Sequence, residues 1–92
     1  MHAVVVSVTV HDREAAVTQL KEQVVPRERS APGFVASYWI ALPNGNGRGT
    51  IVFDSEAAAQ AVAAQVAAPG EAVTIDNVEV CEVVANAAAQ TS

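Results

Sequence analysis

The sequence predicts an α+β fold, a ferredoxin-like βαββαβ sandwich with a four-stranded antiparallel sheet and both helices on one face. Three observations predict it. Apolar residues follow the order strand, helix, strand, strand, helix, strand, and turn residues separate the segments. The chain has 92 residues, enough for one domain and too few for two. Hydrophobic residues make up 51% and charged residues 16%, a balance that favours a packed core over a disordered chain.

The first strand is the run Ala3 to Val10, almost entirely β-branched, which favours a strand over a helix of that length. Asp12 then offers an N-cap, and Val17, Leu20 and Val24 recur at helical spacing with Ala16 beside them. A first helix is expected from about 13 to 24, ending near Val25, because proline disfavours the α conformation in the residue before it and Pro26 follows. Glu14, Thr18, Lys21 and Glu22 give this helix a solvated face. Residues 26–33 read as a loop.

The second strand is expected from Phe34 to Leu42. Pro43-Asn44-Gly45-Asn46-Gly47 then turns the chain into a third strand at Thr50-Ile51-Val52-Phe53, so the two form a hairpin. Asp54 or Ser55 caps a second helix over roughly 55–67, rich in alanine and stopped by Pro69-Gly70. Small side chains let such a helix approach the sheet closely or leave space above it, and composition leaves both open. The fourth strand lies within Val73 to Ala85, with Val78 to Val84 its surest part. The domain spans 1–86, strands one and three are central, and the small polar end at 87–92 is expected to fray.

In a lone sandwich one sheet face meets water, and its strands should alternate apolar and polar residues. These strands depart from that pattern. Phe34, Ala36, Tyr38, Ile40 and Leu42 alternate with Val35, Ser37, Trp39 and Ala41, without a charge on either side. Leaving half a dozen such side chains wet would forgo on the order of 6–12 kcal/mol, comparable to the stability of a whole domain. The expected partner is therefore a second copy, joined through the sheet faces into a homodimer.

Ten acidic against five basic residues give a net charge of −5, which argues against a nucleic-acid partner. The longest apolar runs fall well short of the roughly 20 residues of a membrane-spanning helix, so no membrane role is expected. A lone Cys81 cannot form an internal disulfide, and the N-terminal segment lacks the basic and small-residue marks of a signal peptide. The expected address is the cytoplasm.

Four residues are candidates for a site. His11, at the junction of the first strand and helix, is a candidate general base, against its plainer reading as a polar flank of the Asp12 cap. Tyr38 and Trp39 are adjacent on a strand, so one faces the helices and the other the opposite side. Either could stack on or orient a planar ligand, the Tyr38 hydroxyl as a catalytic group and Trp39 as a binding surface, or simply pack. Arg48 is the one cation near the glycine-rich turn, able to meet an anionic ligand or a partner carboxylate. Gly45, Gly47 and Gly49 alternate as a phosphate cradle might, yet a strand follows them instead of a helix N-terminus. Asp76, Glu79 and Glu82 have only Cys81 near them in sequence and form no metal-ligand pattern. No cofactor and no metal are expected.

The segments Pro32-Gly33-Phe34-Val35 and Tyr38-Trp39, the glycine-rich turn, and Val52-Phe53-Asp54-Ser55-Glu56-Ala57-Ala58 resemble the dimeric α+β barrel superfamily, in particular its antibiotic-biosynthesis-monooxygenase-like members. The resemblance spans the chain from first strand to last. It implies a homodimer whose two sheets form a barrel, with a pocket in each subunit between sheet and helices. It also implies either a cofactor-free monooxygenase or isomerase acting on a small hydrophobic molecule, or a member without catalysis that binds a ligand or only dimerises. Haem degradation in that superfamily uses a histidine from the second helix, and residues 55–67 contain none. Its quinone-forming members use Asn, Trp and Tyr around the pocket; Tyr38 and Trp39 are present here, and no asparagine is matched.

Overall fold

The computed structural model describes residues 1–68 and 70–87. It is α+β, with a four-stranded antiparallel sheet in the order β2-β3-β1-β4. The strands are β1 (His2–Val10), β2 (Phe34–Ala41), β3 (Gly47–Phe53) and β4 (Val73–Glu82). β1 and β3 are central, as the ferredoxin-like order requires, and β2 and β3 form the expected hairpin. At its turn Gly45 has φ +88°, the left-handed region that glycine enters without penalty. The expected fraying at 87–92 falls largely on residues outside those described. Among the described residues no helix is long and apolar enough to cross a membrane.

The register separates the two sheet faces. Val4 lies between Ile51 and Val80, and Val6 lies between Gly49 and Val78. Val4, Val6, Val8, Ile51 and Phe53 join Ala59 in the buried core. Phe34 adds an edge-on ring contact to Phe53, with centroids 6.3 Å apart.

Both helical segments begin at the caps expected of them. The Asp12 carboxylate accepts from the Ala15 N–H at 3.1 Å, and the Ser55 hydroxyl from the Ala58 N–H at 3.2 Å. The Ser55-capped helix is shorter than the alanine run suggests, ending at Ala63. Its close-packing alternative is realised at its centre, where Ala59 is fully buried against the sheet.

The first helical arm departs from expectation at its far end. It does not stop near Val25. α1 (Arg13–Gln19) passes into a π-helical turn (Leu20–Val24) and then into α2 (Val25–Arg29), ahead of α3 (Glu56–Ala63). The Val25 N–H donates to the Leu20 carbonyl five residues back, the wider closure of a π turn. In a regular α-helix the Pro26 ring would strike the carbonyl of Glu22 and lack an N–H to bond it. A π turn replaces that regular geometry just before the proline; Val25 stays helical at φ −61°, ψ −45° and the arm continues past Pro26. Four of the residues assigned to a loop, Pro26, Arg27, Glu28 and Arg29, are therefore helical.

Candidate functional site

α1 buries only Ala16, the π turn buries nothing, and α2 buries only Glu28. The arm therefore stands off the sheet, and a cavity of about 650 Å³ lies beneath it. Val6, Val8 and Ile51 line it from the sheet, Leu20 and Val24 from the π turn, and Val62 from α3. Aliphatic walls around a few convergent polar groups are the usual composition of a small-molecule pocket.

Two lining residues, Gln19 and Glu28, each carry a buried side-chain oxygen without a partner among the described residues, and of the two only Glu28 is ionisable. Its residue is 6% exposed, the only polar or charged residue among the buried ones described. Oε1 accepts a hydrogen bond from the Trp39 indole N–H at 2.7 Å. Oε2 is buried without any partner among the described residues. Among the described residues no Lys, Arg or His nitrogen lies within 4.0 Å of a Glu28 oxygen; the one such contact to a carboxylate joins His2 and Glu56, at 3.2 Å. Arg13 and Arg27 border the cavity but are exposed.

Gly49 holds Trp39 in this position. The two are register partners across β2 and β3, and a Cβ at residue 49 would lie 2.5 Å from the indole ring. A glycine inside a strand often marks such a close approach. Here it lets the six-membered ring of Trp39 lie against the β3 backbone while the indole N–H reaches Glu28.

Of the four sequence candidates, only Trp39 lines the cavity. Tyr38 points to the opposite face of the sheet and is 68% exposed. His11 is exposed at the β1 end, where Nε2 meets the Thr74 hydroxyl at 2.7 Å and the backbone N–H of His11 donates to the Ala72 carbonyl. Arg48 is exposed on β3, opposite Ile40 and Ser7 in register. None of these three borders the cavity, so they do not form one site with Trp39. Among the described residues no group of three or more His, Cys, Asp or Glu side chains could hold a metal ion.

The sequence reading missed Glu28 because it placed the residue in a loop. Gly49 was the available signal, since a strand glycine beside the expected position of a tryptophan suggests a ring laid on the backbone. No family model matches the chain, and no curated protein or solved structure matches it.

Proposed function

We propose that this chain binds a small, largely apolar molecule in the cavity under its first helical arm and works as a homodimer paired through the open sheet faces. The observation that carries the first part is the cavity itself: about 650 Å³ in a 92-residue chain, walled mainly by aliphatic side chains, with Trp39 as its aromatic surface. Such a volume is within the range of small-molecule pockets, roughly 300–1,000 Å³.

The homodimer rests on the opposite face. Tyr38 and Ile40 are 68% and 53% exposed there, and the neighbouring Val5 and Val52 are only half-buried. A second copy seated on this patch removes it from water and completes the dimeric α+β barrel that the turn and strand motifs resemble. Arg48 shares the face with Asp76 and Glu79 on the far edge strand, which gives a two-fold pairing opposite charges to bring together. A cytoplasmic setting, in which the lone Cys81 stays reduced, fits this reading.

A catalytic reading, as a cofactor-free monooxygenase or isomerase, is favoured by one feature. The free oxygen of Glu28 gives the cavity a carboxylate able to take a proton from a bound molecule, a role that His11 and Tyr38 are too far outside the cavity to fill.

Trp39 is the only tryptophan, so its emission reports on the cavity directly. Titration with 1-methyladamantane should shift that emission saturably in the native chain. It should not do so in Val62→Phe, which fills the cavity. An unchanged response in Val62→Phe would place the binding elsewhere and end this reading. Sedimentation at micromolar concentration should give a dimer for the native chain and a monomer for Tyr38→Lys; a native monomer removes the homodimer from the proposal.

A further inference from the structure

Resting on the reading of the cavity as a ligand site, we propose that its ligand carries a protonated amine on an apolar body, and that the amine is held by Glu28 Oε2. A carboxylate withdrawn from water needs hydrogen bonds and a counter-charge. Glu28 has one hydrogen bond, from Trp39, and no cation within 4.0 Å among the described residues. Glu28 is one of the residues that line the cavity, and its second oxygen is fully covered and accepts nothing among the described residues. Buried polar atoms of native proteins rarely stay unpaired, and those that do often mark a position completed by a ligand.

The chemistry of the missing partner follows from what surrounds it. An oxygen of an ionised carboxylate accepts and does not donate, so its ligand partner supplies an N–H or O–H. The aliphatic walls offer no other charge at that depth, so a positive donor gains most: a charge-assisted bond is roughly twice as strong as a neutral one, and it compensates the carboxylate as well. Arg13 and Arg27 border the same cavity, but both are exposed and neither approaches within 4 Å of Glu28. Water screens an exposed guanidinium far more than the cavity walls screen Glu28. The Trp39 N–H fixes the carboxylate from one side, which leaves Oε2 oriented before the ligand arrives, and such preorganisation favours affinity.

The test is a matched series in which only the head group changes: 1-adamantylmethylammonium, 1-adamantylmethanol, 1-methyladamantane and 1-adamantanecarboxylate. All are transparent where Trp39 is excited, so its emission reads every titration. In the native chain the ammonium compound should bind at least about tenfold tighter than the hydrocarbon and the alcohol, with the carboxylate weakest. In Glu28→Gln the ammonium preference should vanish while hydrocarbon affinity is retained. A series that binds with equal affinity throughout overturns the amine assignment and leaves the cavity reading standing. The same holds for a preference that survives Glu28→Gln, which would trace it to the overall negative charge of the chain. No response to any of the four removes the cavity reading and this assignment together. Hydrocarbon affinity retained in Glu28→Gln shows that the variant has folded with its cavity intact, so a lost ammonium preference is read on a folded chain.

Discussion

The two helical layers of this small protein sit over the same sheet in opposite ways. α3 presses its alanines onto the strands, with Ala59 fully buried against Val4, Ile51 and Phe53. The arm from Arg13 to Arg29 is twice as long, yet Ala16 and Glu28 are its only buried residues. A ferredoxin-like fold repeats one strand–helix–strand unit twice, so the two helical layers begin as equivalents. Small side chains draw one down to the sheet, while Val17, Leu20 and Val24 with a π turn hold the other away. One layer carries the stability of the domain, and the other roofs the cavity. The same chain thereby gains a packed core and a cavity without extra length.

Substitutions under the two layers should therefore differ sharply in cost. Phe53→Ala, beneath α3, removes a fully buried ring and should cost about 3–5 kcal/mol, read as a lower midpoint in urea unfolding. Val17→Ala, on the arm, removes a side chain that is already 38% exposed and should cost under about 0.5 kcal/mol. Equal losses at the two positions would mean that the arm is packed as tightly as α3, and the comparison would fail.

Gly49→Val probes the boundary between the layers. Its new side chain starts 2.5 Å from the Trp39 ring, which cannot slide away without leaving Glu28. Overpacking of this kind should cost about 1–3 kcal/mol, smaller than the loss at Phe53, and it should shift Trp39 emission to the red as the indole swings toward water. A valine that costs stability while leaving the emission unchanged would show that Trp39 does not depend on Gly49 for its place.

Most of the framework was legible in the sequence because it rests on local chemistry. The β-branched run of β1, the Asp12 and Ser55 caps and the glycine turn each specify their element with little help from the rest of the chain. Residues 34–41 also indicated two apolar sheet faces, and Tyr38 and Ile40 are indeed left exposed on the side away from the helices. What stayed hidden depended on a contest between local and distant terms. Pro26 argues locally for a helix end, and a single widened turn overrules it. Once the helix continues, Glu28 is carried inward to meet Trp39, eleven residues on. His11 and Tyr38 drew attention as chemically versatile types, but their positions, at a strand end and on the outer face, set them outside the cavity. Spacing along one strand fixes which side a residue takes; it does not tell which side has a roof.

A further small effect on stability bears on the turn within that roof. Pro26→Ala restores a backbone N–H and removes the ring that forbids a regular turn at Glu22. The arm can then close its π turn into α-helix, a change that adds ordinary i to i−4 bonding and should alter stability by less than about 1 kcal/mol. Its geometric consequence is larger. Closing one widened turn rotates everything after it by about 100° around the helix axis, which takes Glu28 off the face that meets Trp39. The expected signature is thus a separation of two readouts: a urea midpoint near the native value, and Trp39 emission and 1-adamantylmethylammonium affinity altered as much as in Glu28→Gln. If stability, emission and affinity all stay native, the π turn is held by the packing of the arm and not by Pro26. The contrast between the two helical layers would then rest on side-chain size alone.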